Sequence, residues 1–322
     1  MKILITGITG LFGRYLAREF SKVGAIYGLK RSTSSTRLVA DIEDQIRWVE
    51  GDLFDIIALE EVISDMDLII HAAGLVSYEG KDLDALNKTN VEGTTNLVNA
   101  MLASGKEKLI HISSVAALGK APGDILVNEN TKWVDSDLNT PYAQSKYLGD
   151  LEVWRGVQEG LKAIVVYPSI LLGKISDERS STKIYQYVLE EKKYFPSGKI
   201  NFLDVRDAAT MVYLLFLKGA WNESFILNHS AIPYQDFFST MARVFGKKAP
   251  EVKVTRFLLE VSLWANSIAR MLGLSKVPLN RQTAKLAQLQ VTMDNSKVTN
   301  YLDFKYKSLE DTLLWALSNE KN

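Results

Sequence analysis

Short apolar runs of strand length alternate with stretches of helical spacing through the first half of the chain. Lys2–Thr6 is a run of the kind that makes a buried strand, and Leu11, Tyr15 and Leu16 recur at helical spacing straight after it. Ala25–Leu29 and Ile46–Glu50 read as the second and third strands, Leu68–His71 is the clearest buried one, and Lys108–Ile112 is another. A helix holding Asn90, Val91, Gly93 and Thr94 precedes that last strand, and Pro141–Lys146 opens a further helix with Asn139 and Thr140 available to cap it. Strands and helices alternating at this spacing predict an α/β fold with a doubly wound parallel sheet. From about Gly173 the pattern changes. Lys174–Lys193 reads as a loop and a helix, Asn201–Val205 and Phe225–Leu227 as strands returning to the main sheet, and Ile232–Pro250 and Thr255–Leu274 as helices. Phe257, Leu258, Val261, Leu263, Trp264 and Ile268 make an apolar face, for which packing within the C-terminal part is the default reading.

Between the first strand and helix stand Gly7, Gly10 and Gly13, spaced T-G-x-x-G-x-x-G rather than G-x-G-x-x-G. A strand running through a glycine turn into a helix leaves the first N–H groups unpaired and the positive dipole end exposed, where a pyrophosphate sits. A Cβ there would block the turn or the approach of the phosphates. A tight turn without a ligand is the plainer alternative. The second strand ends in Lys30, Arg31 and Ser32, and no Asp or Glu lies between Glu19 and Asp41. At this place an acidic residue would accept from a ribose 2′-hydroxyl, whereas a basic one pairs with a 2′-phosphate. The charge therefore favours NADP(H) over NAD(H), with Arg31 and Ser32 as contacts, unless Lys30, Arg31 and Arg37 merely line a solvated loop. Asp52, within Gly51-Asp52-Leu53, either accepts from adenine or caps a helix starting near Ile56, and the spacing leaves both open. Ala72, Ala73 and Gly74 after the fourth strand let the backbone lie against a flat cofactor.

The 322 residues suffice for a main domain with a smaller lobe. Lys plus Arg and Asp plus Glu both number 38, a balance that gives no support for a nucleic-acid or membrane-surface partner. Without Cys there are no disulfides and no thiolate chemistry, and with three His no metal centre is expected. Met1 leads straight into the first strand without a leader, so a cytoplasmic protein is expected. The apolar stretch Phe257–Leu274, broken by Glu260, Asn266 and Arg270, falls short of a membrane span.

Tyr142 and Lys146 are four residues apart and share one helix face. An ammonium close to a phenol favours the phenolate and would lower the tyrosine pKa towards working pH, making Tyr142 a general acid or base. Ser114, at the end of a parallel strand, is placed to hydrogen-bond the substrate oxygen. An isolated Tyr-x-x-x-Lys pair also arises by chance on exposed helices.

Seven motifs in order carry more weight: TGITGLFG at the start, HAAG at 71–74, NVEGT at 90–94, the Ser-Ser strand end, PYAQSK at 141–146, YPSILLG at 167–173 and NFLDVRDAA at 201–209. Together they resemble the extended short-chain dehydrogenase/reductase superfamily (NAD-dependent epimerase/dehydratase family), most closely its dihydroflavonol-reductase-like and sugar-nucleotide epimerase-like members. The resemblance implies a Rossmann domain at 1–172 plus about 200–229 and a mostly helical substrate lobe at about 173–199 plus 230–322. It implies Tyr142 as acid/base, Lys146 as its partner and ribose anchor, and Ser114 as the catalytic serine, since Gly119 sets the register against Ser113. Cofactor contacts are then expected at Gly7, Thr9, Gly10, Leu11, Phe12, Gly13, Arg31, Ser32, Asp52, Leu53, Ala72, Ala73, Gly74, Asn90, Tyr142, Lys146, Pro168 and Ser169. Asp207 is implied to tie the lobes together.

Three positions depart from the pattern: Tyr167 for a frequent Arg, Leu118 for an aromatic, and Asp204 for a His; the first two make the site less polar. The reading is NADP(H)-dependent reduction of a small-molecule carbonyl, or the reverse oxidation of an alcohol. The alternatives are a nucleotide-sugar epimerase or dehydratase using NAD(P) transiently, and a cofactor sensor without turnover. The resemblance implies a homodimer through 90–104 and 142–158, and substrate choice falls to Leu75–Lys81, Leu118–Val134 and the C-terminal lobe. There Arg179, Lys183, Arg243 and Arg256 are either anion ligands or solvated charges.

Overall fold

Each strand expected up to Ile112 forms on its apolar run in the structure, a computed structural model that describes residues 1–120, 123, 125–177, 182–255, 258–261 and 281–318. The first half runs β1 (Lys2–Thr6), α1 (Leu11–Phe20), β2 (Ala25–Lys30), β3 (Ile46–Glu50), α2 (Ile56–Ser64), β4 (Leu68–His71) and α3 (Leu83–Leu86). A π-helical turn (Asn87–Glu92) leads into α4 (Gly93–Ala103), then β5 (Lys108–Ile112), β6 (Leu126–Val127) and α5 (Pro141–Gln158). The second half holds β7 (Lys162–Pro168), β8 (Ile170–Leu172), α6 (Thr182–Leu189), β9 (Tyr194–Pro196), β10 (Lys199–Asp204), α7 (Val205–Leu217), β11 (Glu223–Leu227), β12 (Ser230–Pro233) and α8 (Tyr234–Phe245). Shorter helices follow at Arg281–Leu286, Ser296–Leu302 and Leu309–Leu317.

Seven strands form one parallel sheet in the order β11-β7-β5-β4-β1-β2-β3. The chain leaves β1 towards β2 on one side and returns to β4 on the other. The crevice outside the carboxyl ends of β1 and β4 is therefore the topological switch point, where such sheets take ligands. Side chains alternate along each strand, and helices cover both faces. Ile3 and Ile5 enter the core shared with α1 and α7, while Leu4 enters the core shared with α2, α4 and α5. That second face carries an exception to its apolar rule. Thr6, His71 and His111 stand side by side in register on β1, β4 and β5, and all are about 1% exposed.

Two expectations need correction. Asn201–Val205 does not return to the main sheet. It forms the centre of a separate three-stranded sheet, β12-β10-β8, parallel to β8 and antiparallel to β12, and Val205 already opens α7. Phe225–Leu227 does join the main sheet, at its β11 edge. The helix placed at Ile232 starts at Tyr234, because Ser230–Pro233 is held as a strand against β10, and it ends at Phe245 before the left-handed Gly246. A third core fills the space between β10, α6, α8 and the last helix, around Tyr185, Phe202, Phe237 and Leu313. Of the helix expected at Thr255–Leu274, the positions Phe257, Leu263, Trp264 and Ile268 lie outside the described residues, as do Arg179 and Arg256. Among the described residues no helix is long and apolar enough to cross a membrane.

Gly13 fixes the distance between α1 and β1: a Cβ there would lie 2.3 Å from the Gly7 carbonyl oxygen and 2.6 Å from the Ile8 Cα, both backbone atoms that cannot swing aside. Gly13→Ala is expected to lower unfolding free energy by roughly 1–3 kcal/mol in urea titrations. Gly80→Ala, where a Cβ meets nothing within 4 Å, should stay within about 0.5 kcal/mol of the parent.

Candidate active site

The glycine turn after β1 fits the switch-point crevice for three separate reasons. Gly7 has φ +70°, and a Cβ on it would come within 2.4 Å of the Ala73 nitrogen, so β1 and the Ala72-Ala73 backbone after β4 touch directly. Gly13 is required by packing, as above. Gly10 is required by neither: its φ of −85° suits any residue, and a Cβ would meet only the Gly7 oxygen, at 3.1 Å. Its glycine leaves the start of α1 open instead. That end has no side-chain cap and no acidic residue in its first turn, so its N–H groups and positive dipole end face the crevice unshielded. At the far side of the crevice, past the end of β7, the buried Ser169 hydroxyl has no hydrogen-bond partner among the described residues. Open helix end, close backbone approach and an unpaired hydroxyl together fit a dinucleotide laid along the carboxyl edge.

The other expected contacts divide into groups. Ala72, Ala73 and Gly74 follow β4 along this edge, and a Cβ on Gly74 would lie 3.3 Å from Asn90 Oδ1 and 3.8 Å from Lys146 Nζ. Pro168 ends β7. Arg31 and Ser32 are exposed immediately beyond β2, where Ser34 N–H bonds the Arg31 carbonyl in a turn. Thr9 and Leu11 are half-buried at the turn, while Phe12 packs into the core, so only its backbone reaches the crevice. Asp52 does not cap α2: Asp55 does, accepting from the Ala58 N–H at 3.2 Å, and Asp52 accepts from the Phe54 N–H at 3.3 Å. Leu53 is buried, and its carbonyl takes the Asn96 amide at 3.0 Å. Asn90 is a clamp. Its amide accepts from the Leu75 N–H at 2.8 Å and donates to the Leu75 carbonyl and the Ser145 hydroxyl, each at 2.9 Å.

Thr140 caps α5 by accepting from the Ala143 N–H, with Pro141 at the first helical position. The helix thereby presents Tyr142 and Lys146 to the end of β5, both buried. The Ser114 hydroxyl, which accepts from the Ala116 N–H at 3.2 Å, stands near enough to the Tyr142 phenol to act on it. Ser113 points the other way, donating to Asp150 Oδ2 at 2.9 Å, so of the two serines only Ser114 meets the tyrosine. Lys146 donates to the Ile112 carbonyl at 2.8 Å. One expectation fails here. Lys146 does not pull the Tyr142 phenol down: burial pushes its pKa up, the nearby Tyr78 adds to the rise, and the Ser114 hydroxyl only partly opposes it. Tyr142 is thus held protonated. Burial also lowers the Lys146 pKa, against the opposing pull of Asp150.

Several residues escaped the sequence reading. Tyr78, from the loop after Gly74, stands edge-on to Tyr142 with ring centroids 5.8 Å apart, and the phenol of Tyr234 at the start of α8 feels Tyr78 as well. Asp150 follows Lys146 by four residues, a spacing that was there to be read. Arg14 on α1 reaches Asp177 at 2.8 Å, with side chains 7% and 3% exposed, and Asp177 in turn accepts from the Lys174 N–H at 3.0 Å. This pair binds the cofactor-side helix to the chain just past Gly173. Asp207 accepts from both the Lys307 N–H at 2.8 Å and its ammonium at 2.5 Å, fastening α7 to the last segment. Asp204 caps α7 and pairs with Arg206. Lys183 is exposed on α6, and Arg243 forms an exposed pair with Glu310. Among the described residues no group of three His, Asp or Glu is arranged to hold a metal.

Residues 3–226 match the NAD dependent epimerase/dehydratase family. The chain is 27% identical over 322 residues to a Synechocystis sp. protein named "Putative dihydroflavonol 4-reductase", covering 97% of this chain and 92% of that protein. The crystal structure of gox2253 superposes with a TM-score of 0.83 at 28% identity, over 98% of this chain and 96% of that one. A UDP-glucuronic acid 4-epimerase from Bacillus cereus, solved in complex with NAD, has a TM-score of 0.75 at 18% identity over 98% of both chains, a likeness of fold.

Removing one partner of a buried ion pair strands the other charge. Arg14→Met and Asp177→Asn are each expected to cost about 3–5 kcal/mol in equilibrium unfolding, and the double variant less than the sum of the two.

Proposed function

Because the chain belongs to the NAD-dependent epimerase/dehydratase family, we propose that it is an NADP(H)-dependent oxidoreductase that reduces a carbonyl compound, with Ser114, Tyr142 and Lys146 as its catalytic residues. The observation that carries this reading is the placing of Tyr142 and Lys146, both buried, one helical turn apart on α5 at the carboxyl end of β5, where the Ser114 hydroxyl stands near enough to act on the phenol. When bound, the dinucleotide supplies a hydride to the carbonyl carbon. A buried phenol that stays protonated suits the reductive direction, because Tyr142 must give its proton to the carbonyl oxygen as charge develops there. Ser114 donates to the same oxygen and orients it. Lys146, fixed by the Ile112 carbonyl close to Gly74, would hold its positive charge beside the cofactor ribose.

Arg31 and Ser32, exposed past β2 with no carboxylate in that turn, support the 2′-phosphorylated cofactor. Two features favour a reductase over an epimerase. The Synechocystis relative, matched over 97% of this chain and 92% of its own length, bears a reductase name, and the aromatic ring of Tyr78 lines the flank of Tyr142.

Tyr142→Phe is expected to lower kcat/KM for NADPH-dependent reduction by roughly 10²–10⁴-fold with little change in NADPH affinity. The check is an absorbance assay across a panel of carbonyl compounds, and unchanged turnover would remove Tyr142 from the mechanism. Arg31→Ala should weaken NADPH binding about tenfold or more in fluorescence titrations and leave NADH binding as it was. Tighter NADH than NADPH binding by the parent protein would overturn the cofactor assignment.

A further inference from the structure

Lys146 is a cation in a dry place: 6% exposed, with one carbonyl hydrogen bond to Ile112. Burial by itself disfavours its ammonium. Among the described residues the charge that acts in its favour is that of Asp150, one turn further along the same face of α5. Asp150 is 4% exposed and has its own fixed partners, the Ser113 hydroxyl at 2.9 Å on one oxygen and His111 Nε2 at 3.1 Å on the other. Behind His111 the row continues across the sheet. His71 stacks on it at 5.4 Å and is itself held by Thr6 at 2.7 Å and Thr94 at 3.1 Å.

We propose that Asp150, aimed by Ser113 and His111, is the buried counter-charge of Lys146 and hence a positioning residue for the catalytic lysine. The proposal rests on the role given to Lys146 above. The groups that face Asp150 are Lys146 and Tyr142 from its own helix, His111 from β5 and Tyr167 from β7, with His71 of β4 behind His111. Both histidines are pushed well below their ordinary range by burial, so neither supplies a competing cation near neutrality. With Asp150 ionised, His111 donates from Nε2, which accounts for its Nδ1 being the unpaired ring atom. Burial lifts the Asp150 carboxyl from 3.8 to about 7, while Lys146 and Ser113 pull it down. Asp150 therefore carries its charge, and supports Lys146, only above about pH 7.

Between about pH 4 and about pH 7 the folded chain binds a proton at Asp150 that the unfolded chain has released, so this group's contribution to stability falls as pH rises through the window. Asp150→Asn removes that fall, and its melting temperature relative to the parent should rise across the same window.

The test is a double-mutant cycle on the full chain, read by thermal melting and so independent of any substrate. At about pH 8, Lys146→Met should lower the melting temperature by roughly 2–4 °C more in the parent than in combination with Asp150→Asn. At about pH 5, with Asp150 protonated, that difference should vanish. No difference at the higher pH, or the same difference at both, overturns the proposal. Should Asp150→Asn not fold, Ser113→Ala takes its place. Losing the hydroxyl that favours the carboxylate should move the midpoint of the Lys146→Met effect to higher pH, and an unmoved midpoint counts against the proposal. A second readout is the pH profile of carbonyl reduction, which should bend near pH 7 in the parent and Asp150→Glu but not in Asp150→Asn. A bend that survives Asp150→Asn refutes it, whereas failure to find any reduction bears on the proposed function and leaves the melting cycle intact.

Discussion

How closely α5 can approach the π-helical turn and α4 governs the rest of the site. A Cβ on Gly149 would lie 2.6 Å from the Asn90 carbonyl oxygen, and one on Gly156 would lie 2.7 Å from a Val98 methyl. Two glycines two turns apart thus let the helix settle against its neighbours, and the side chains on its adjoining face, Tyr142, Lys146 and Asp150, are driven into the end of β5. The π-turn belongs to the same constraint. By widening the helix at Asn87–Glu92 it presents the Asn90 amide to both Leu75 and Ser145, joining the loop that carries Tyr78 to the helix that carries Tyr142.

This contact explains why the polar groups of the site are buried without being orphaned. An unpaired polar group in such surroundings costs about 1–3 kcal/mol, and a charge more. Asn90, Lys146, Asp150 and His71 each meet at least one fixed partner. Among the described residues Ser169 does not, and it follows directly on the carboxyl end of β7. On the other face of the sheet the Arg14–Asp177 and Asp207–Lys307 pairs fasten α1 and α7 to the segments that follow Gly173, so the two ends of the chain are tied to the same parallel sheet.

Much of this was legible in the sequence because parallel-sheet strands are buried on both faces and read as continuous apolar runs, as Leu68–His71 does. The glycine turn and the capped start of α5 were also within reach, since turn chemistry and caps are local. What local pattern does not carry is which sheet a strand joins. Asn201–Phe202 has the periodicity of a core strand, but only its long-range pairing with β8 and β12 takes it out of the main sheet. The Arg14–Asp177 pair, 163 residues apart, leaves no local signal either. The Tyr142 phenol shows a third kind of gap. Spacing reveals the lysine four residues away but not the depth of burial, and burial decides the direction of the shift.

The central claim is net hydride delivery to a carbonyl, with Tyr142 as proton donor, and single-turnover mixing addresses it most directly. The protein is mixed with stoichiometric NADPH and a carbonyl compound that it turns over, and the reduced-cofactor absorbance is followed to completion. A reductase consumes one equivalent of NADPH for each alcohol formed, with no recovery of the signal. Return of the absorbance to its starting value with an isomerised or dehydrated product, or conversion without any NADPH loss, would contradict the account.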